Sequence, residues 1–392
     1  MKRRFSIKIQ CLFLLVIFFT FGSCNDPVFY TISQEVAPVE PYIKGGPTNF
    51  TVYNEHLIVA SGSSIHWYKD GGWDNRGIIN IPKPGGRVTY LASTKDNSGV
   101  EYLYAICLKE PKSTVVKRYN PAEGWKTMSY TGSYNLFQSI FALNGNLFIG
   151  AESGNSFVIL YIDGETIEQV TLTEGGTTGL LNGAAFDGSN YYLCTASSRI
   201  YNLDITDFSA SIIQRDIDAR FAGIISLENG DGDAVNPHTI VAIARDGKLF
   251  TVNSSSVVYT NSLGNLATGA LGIWRDKDDD PGKPKLLMAG RQDSLIYSIS
   301  SGYTYGYLEL DLDSGGIKSD TSFREPGTRL PSTVIDNDNE RYKSTIGKQP
   351  VTDIFQAPQA IDSNMTLFAS TQRGGVWSYR ERSGGLQWNA EE

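Results

Sequence analysis

Short apolar runs ending in small residues recur along the chain at nearly constant intervals. They read Leu57-Ile58-Val59-Ala60, Leu103-Tyr104-Ala105-Ile106, Leu147-Phe148-Ile149-Gly150, Tyr192-Leu193-Cys194-Thr195, Ile240-Val241-Ala242-Ile243, Leu286-Leu287-Met288-Ala289 and Leu367-Phe368-Ala369-Ser370. Their first residues are 46, 44, 45, 48, 46 and 81 positions apart. Five near-equal steps mark an internal repeat, and the sixth equals one period plus about 35 residues. Upstream of each run lies another apolar strand, such as Ser139–Leu143, Gly223–Leu227 or Leu271–Trp274. Downstream come a tight turn and a third strand carrying an aromatic, as in Ile65–Tyr68, Lys248–Phe250, Leu295–Tyr297 and Gly375–Trp377. A more polar fourth strand often closes the unit, as in Tyr68–Trp73. In the fifth unit Asp246-Gly247 predicts a two-residue type I′ hairpin, which needs positive φ at both positions.

Four strands per period of about 45 residues, without helical periodicity, predict the blades of an all-β β-propeller. Seven four-stranded blades fit the spacing. Eight is the alternative if residues 319–349 hide a degenerate blade, but that stretch holds Pro326, Pro331, Asp336, Asp338 and Glu340 and reads as a long inserted loop. A pair of β-sandwiches is disfavoured by the equal spacing. The propeller is expected over 49–392. Residues 24–48, with Pro27, Pro38, Pro41, Pro47 and Gly45-Gly46, read as a flexible tether. Val28–Ile32 is a candidate extra outer strand for the last blade, although Gly385–Asn389 can supply that strand itself.

The N-terminus bears on compartment. Lys2, Arg3, Arg4 and Lys8 precede an apolar run, Ile9–Phe21, too short for a comfortable membrane span, so residues 1–23 read as a signal peptide. Phe21-Gly22-Ser23-Cys24 resembles a bacterial lipobox with Phe21 where Leu is commonest. That resemblance implies a lipidated Cys24, palmitate-type acylation and a membrane anchor in the cell envelope, at the outer membrane or the periplasmic face of the cytoplasmic membrane. Plain secretion with cleavage near Ser23 is the alternative. Four of the 34 basic residues and none of the 42 acidic ones lie in this leader, leaving 30 against 42, or −12. A body so acidic argues against nucleic acid as partner. Of four cysteines, Cys107 and Cys194 remain, both inside apolar strands two units apart, as small buried hydrophobes rather than a disulfide.

On the lipobox-like segment, the blade repeat and the ending Gly374-Gly375-Val376-Trp377…Trp388-Asn389-Ala390-Glu391, the mature chain resembles bacterial β-propeller lipoproteins, including spirochaetal ones of uncharacterised function. It is comparable in size to a lipoprotein propeller of the outer-membrane assembly machinery, whose Ala-x-Asp-x-x-Thr-Gly-x-x-x-Trp repeats it lacks. Tyr68–Trp73 resembles a hairpin of sialidase-like hydrolases, but the Arg-Ile-Pro segment and the Asp boxes of that family are absent.

Candidate chemistry is sparse. His56, His66 and His238 occupy unrelated positions in the repeat, without metal-type spacing. Arg245, Arg291 and Arg373 recur after the second strand of their units, and equivalent turns of a propeller emerge on one face. They are therefore a candidate ligand-binding arc for carboxylate or phosphate, with ordinary solvated turn residues as the competing reading. Two acidic loops supply alternating carboxylates of the kind calcium uses: Asp231 and Asp233 in one, Asp276, Asp278 and Asp280 in the other. The first resembles part of the calcium motif of integrin-type propellers, with Leu227 and Val235 where acids are expected, and the second has Pro281 where glycine is usual. Solvated acidic turns are the competing reading. Tyr303, Tyr305 and Tyr307 are the best candidates for an exposed aromatic patch. The expected role is a lipid-anchored binding or scaffolding module for protein, peptide or glycan. A glycan-active hydrolase or lyase, or an outer-membrane assembly component, is the alternative.

Overall fold

The second strand of each repeat is apolar at consecutive positions because both of its faces are covered. In the computed structural model all five residues of Tyr191–Thr195 and of Leu367–Thr371 are buried. A strand of this kind cannot alternate, which is why short unbroken apolar runs mark it. The structure describes residues 43–391 apart from 75–80, 82–85, 97, 111–112, 175–178, 214–216, 218, 228–238, 263–267, 275–284, 291–306, 314–315, 318–345, 347–350, 373 and 383–384.

The strands form antiparallel meanders in chain order. β1 (Thr51–Tyr53), β2 (His56–Ser61), β3 (Ser64–Lys69) and β4 (Gly72–Asp74) make the first sheet. β5 (Val88–Lys95), β6 (Glu101–Glu110), β7 (Ser113–Asn120) and β8 (Gly124–Thr127) make the next. β9 (Ser129–Tyr130) pairs in parallel with the outer edge of the sheet of β10 (Leu136–Leu143), β11 (Asn146–Ser153), β12 (Ser156–Asp163) and β13 (Thr166–Gln169). In the same way β14 (Thr171–Leu172) edges the sheet of β15 (Leu181–Phe186), β16 (Tyr191–Thr195), β17 (Ile200–Asp204) and β18 (Ser209–Ile212). β19 (Phe221–Leu227), β20 (Thr239–Ala244), β21 (Lys248–Asn253) and β22 (Ser256–Ser262) follow. After them come β23 (Thr268–Trp274), β24 (Lys285–Gly290), β25 (Tyr307–Asp313) and β26 (Gly316–Ile317). β27 (Val351–Gln356), β28 (Leu367–Thr371), β29 (Val376–Arg382) and β30 (Gly385–Ala390) complete the series, and β30 is the outer strand that the last repeat was expected to supply.

The fold is an all-β propeller. Six sheets are described through most of their packed side chains, fewer than the seven blades expected from the spacing. The β23–β26 sheet is described in its backbone pairing and at the side chains of Leu271–Trp274. The eight-blade alternative is overturned at β23, because nothing can be inserted between it and β27. A Cβ at Gly272 would lie 2.6 Å from the Ile354 carbonyl oxygen. The stretch 319–349 lies outside the described residues except Ile346, which is buried with Trp274 and Val351.

Apolar side chains of neighbouring sheets fuse into shared cores. Ile58 and Ile65 pack with Val88 and Leu103, Tyr104 with Ile149, Phe148 with Leu181, and Tyr192 with Phe221. The first and last sheets meet in the same manner, through Phe50, Leu57, Tyr68, Phe368 and Val376. Each fully buried aliphatic or aromatic side chain contributes about 1.5–3 kcal/mol, so most of the stability lies between sheets and not within them.

The closure corrects the tether boundary. Ile43 is fully buried in that last core, and Gly45 bridges in parallel to Gly374. Residues 43–48 are therefore part of the propeller. Thr48 N donates to Ala60 O (2.8 Å), Ser370 Oγ to Thr48 O (2.8 Å), Phe50 N to Asp353 Oδ2 (2.7 Å) and Tyr68 Oη to Asp362 Oδ2 (2.8 Å).

The structure corrects the two-residue turn expected at Asp246-Gly247, whereas a turn of that kind forms elsewhere. Asn144 (φ 46°) and Gly145 (φ 83°) form the two-residue turn joining Leu143 to Asn146, both at positive φ. At Asp246-Gly247 only the glycine is left-handed (φ 82°), and Gly247 N bonds Ala244 O (3.0 Å). The loop is thus a three-residue turn followed by a glycine bulge, which shifts the register by one residue from the expected hairpin. Cys107 and Cys194 are buried free thiols, and burial pushes Cys107 up to about 12.

Close approach of the sheets yields a stability test. A Cβ at Gly150 would meet Ser139 Oγ at 2.6 Å and Leu181 Cβ at 2.9 Å, whereas one at Gly72 would meet nothing within 4 Å. Gly150→Ala is expected to destabilise the fold by about 1–3 kcal/mol through overpacking, with Gly72→Ala near neutral. Chemical denaturation of both variants measures this, and equal midpoints would refute the packing argument.

Candidate functional site

Antiparallel order puts the start of the first strand, the described turns between second and third strands, and the end of the fourth strand at one end of a sheet. Contacts between sheets put these ends on a common face. Val88 N, at the start of β5, bonds Gly62 O in the β2–β3 turn (2.7 Å). Phe137 N, at the start of β10, bonds Thr114 Oγ1 at the start of β7 (2.5 Å). Asn182 Nδ2 bonds Phe221 O (2.8 Å), joining the starts of β15 and β19. This face is called the upper face below.

A β-bulge marks the upper end of the first strands. The register jumps between Val88 and Tyr90, Phe137 and Ser139, Leu181 and Gly183, Phe221 and Gly223, and Val351 and Asp353. The residue before each jump is buried, and the bulged one (Thr89, Gln138, Asn182, Ala222, Thr352) is partly exposed. Two residues opposite one re-aim the side chain, so a core residue is followed at once by a partly solvated one. Four of these five are polar. Asn49 acts alike ahead of β1, with Nδ2 donating to Leu91 O (2.8 Å) and Oδ1 accepting from Leu91 N (2.9 Å).

Beside this rim lies a groove of about 560 Å³ between the second and third sheets. Lys109 and Glu152 stand at the ends of β6 and β11, Ser113 and Thr114 start β7, and the connection to β10 contributes Tyr130, Tyr134 and Asn135. Tyr130 is 40% exposed, with its ring against Phe137 (5.5 Å) and Tyr134 (5.8 Å). Glu152 accepts from Gln138 Nε2, a bulged residue, which ties the groove to the rim. A half-exposed aromatic wall with a cation, a carboxylate, an amide and hydroxyls can seat a polypeptide side chain and pair its backbone groups.

One titratable group stands out at the upper end of the closure. Asp353 follows the bulge in β27 and accepts from Phe50 N; burial pushes its carboxyl up to about 7, against the lowering by that bond and by Ile354 N. The residue as a whole is only partly buried, but its carboxyl group is densely surrounded. Sequence reasoning missed Asp353 and the groove. The one signal available was the polar residue directly after the first buried position of four first strands, at Thr89, Gln138, Asn182 and Thr352.

Of the residues expected to form the arginine arc, the structure places Arg245 on the upper face, exposed in the β20–β21 turn; its backbone N bonds Arg220 O (2.7 Å). Arg291 and Arg373 lie outside the described residues. So do Cys24, the calcium candidates Asp231, Asp233, Asp276, Asp278 and Asp280, and His238, Tyr303 and Tyr305. Among the described residues no group of three or more His, Cys, Asp or Glu could hold a metal ion. His66 is buried, which lowers its pKa, and His56 Nδ1 lies 2.6 Å from Asn54 O in a turn on the opposite face.

No protein-family model matches the chain, and no curated protein does. Among solved structures it is similar to the WD40 β-propeller domain of Doa1, at 9% identity and a TM-score of 0.52, with 88% of this chain and 95% of that one covered. It is also similar to a chain of the mitotic checkpoint complex, at 10% identity and a TM-score of 0.52, covering 86% and 94%. These likenesses show the propeller fold.

The raised Asp353 carboxyl gives a pH test. A carboxyl whose folded value lies above its unfolded one holds a proton longer in the native state. Its stabilising effect is full below about 4, the unfolded range, and is lost as pH rises toward about 7. Asp353→Asn keeps an oxygen for Phe50 N and removes the titration. Unfolding free energy should fall with pH between about 4 and 7 more steeply in the wild type than in the variant. Parallel profiles would show that Asp353 titrates normally.

Proposed function

We propose that this protein is a polypeptide-binding propeller, seven-bladed and carried by an N-terminal lipid on Cys24, that receives its partner on the upper face. The observation that carries the reading is the groove between the second and third sheets. It joins the exposed Tyr130, backed by the buried Tyr134, to Lys109, Glu152, Asn135 and the Gln138 bulge. A cleft of this kind at a rim of loops, on a scaffold held rigid by shared cores, suits recognition better than transport of a small solute. Seven blades are supported by the repeat spacing and by the β23–β26 strands between β19 and β27. The lipid anchor and the cell-envelope location are supported by the segment Lys2–Cys24.

Two experiments test this reading. Random peptides displayed on phage are panned against the purified protein, and the selected peptide is titrated into wild type and Tyr130→Ala. The substitution is expected to weaken binding at least ten-fold while leaving the thermal midpoint within a degree or two, since Tyr130 is half-exposed. Unchanged affinity would remove the groove from the function. Separately, Cys24→Ala is expected to abolish incorporation of labelled palmitate and release the chain from the membrane fraction. Retention of both would eliminate the anchor.

A further inference from the structure

Charge is segregated between the two faces. At the upper face the described turns and strand ends carry Arg87, Lys109, Arg199, Arg220 and Arg245. Glu152, Glu174 and Asp246 share that face, Asp246 paired with Lys248 (2.9 Å). Among the described residues, Arg87, Lys109, Arg220 and Arg245 are exposed and make no ion pair with a carboxylate. At the opposite face, the turns between first and second and between third and fourth strands carry Glu55, Asp70, Asp96, Asp163, Asp204 and Asp207, all exposed. Three of its cations are matched, Lys69 with Glu55 (3.2 Å), Arg118 with Glu123 (3.2 Å) and Glu165, and Lys126 with Glu123 (3.1 Å), while Lys95 at the end of β5 is exposed among the acids. In a body whose balance after the leader is 30 basic against 42 acidic residues, four of the exposed unmatched cations among the described residues collect on the upper face.

From this segregation we infer that the upper face selects an acidic polypeptide segment, laid across the rim from the groove at Lys109 toward Arg220 and Arg245. The inference rests on the polypeptide-binding reading and specifies its partner. Arginine suits this task because its planar fork pairs carboxylates bidentately, and two of the four lie side by side across one backbone hydrogen bond. The acidic opposite face repels the same partner, so the field of the molecule both attracts and orients it. An anionic bilayer fits less well. Among the described residues the exposed large apolar side chains Val100, Ile205, Val258 and Tyr259 lie on the opposite face or on the outer strand β22, and Tyr130 alone stands near the rim to insert. The upper-face carboxylates would also meet lipid phosphates.

The test uses the full chain in detergent and a fluorescein-labelled twelve-residue peptide with Glu at alternate positions and one central Phe, against its Lys counterpart. Fluorescence anisotropy at low salt is expected to show binding of the Glu peptide at least ten-fold tighter than of the Lys peptide, weakening as salt rises. Lys109→Glu with Arg220→Glu and Arg245→Glu should cost at least ten-fold, while Asp204→Lys with Asp207→Lys should not weaken it. Equal binding of the two peptides, or an unaffected triple variant, overturns the inference. So does preferential capture by phosphatidylglycerol vesicles, or head-to-tail self-association that consumes the upper face. Loss of binding in the triple variant with wild-type affinity in Tyr130→Ala would uphold the acidic partner and refute the groove. Charge-indifferent binding that Tyr130→Ala abolishes would do the reverse.

Discussion

Each sheet described through its side chains has two apolar faces, so none of these can be satisfied by a single neighbour. The only arrangement that covers both faces of all of them is a closed series, and the structure depends on the contact where the first sheet meets the last. That contact combines a fused core with directed hydrogen bonds. Ile43, Phe50, Leu57, Val59 and Tyr68 from one end of the unit pack with Ala357, Ile361, Phe368 and Val376 from the other. Backbone and side-chain hydrogen bonds run alongside. Closure over some 300 residues of sequence carries a large loop-entropy cost, although it grows only slowly with length. A junction with both a fused core and directed hydrogen bonds is what such a closure requires.

The same constraint sets the shape of the upper face. First strands must approach closely, as shown by glycines whose added Cβ would strike a neighbouring strand at Gly183 and Gly272. Close approach leaves little width at the strand starts, and the bulges relieve it by sending one residue into the core and the next toward solvent. Polar side chains at these bulges then take part in bonds between sheets. Asn182 reaches the next first strand and Asn49 reaches Leu91, so the residues that shape the rim also hold it rigid. Asp353 is the costly member of this set. Its carboxyl accepts the Phe50 amide within a crowded junction, and burial outweighs the hydrogen bonds in fixing its protonation.

The periodicity of the second strands was legible because burial on both faces leaves no freedom to alternate, and their spacing measured the blade directly. Asn144-Gly145 adopts the conformation its residue types favour, although the pair was not singled out in the sequence. Asp246-Gly247 did not, since the register of β20 against β21 leaves three residues to span the turn, and tertiary pairing outranked the dipeptide preference. The boundary at Thr48 was misplaced for a related reason. Pro41, Gly45, Gly46 and Pro47 compose a tether by type, but the core of the last sheet needs Ile43. The groove was illegible because its parts lie on two different sheets, with Lys109 and Glu152 43 residues apart in sequence. Arg245 was legible as a rim residue from its place in the repeat, which says where a turn emerges and nothing of what meets it.

Charge segregation follows from the strand order rather than from any motif. Turns of one class emerge on one face and turns of the other class on the opposite face, so each class can drift in composition without disturbing the cores between them. Aspartate and asparagine favour the tight turns that join first to second and third to fourth strands, and they make that face acidic as a by-product of turn chemistry. No such local demand places arginine at Arg87, Arg220 or Arg245, which sit at strand ends where many residues serve equally. The acids are explained by the backbone they fold; the unmatched cations are not. The inferred role for them is an interaction outside the chain, and a carboxylate-bearing partner matches the guanidinium fork.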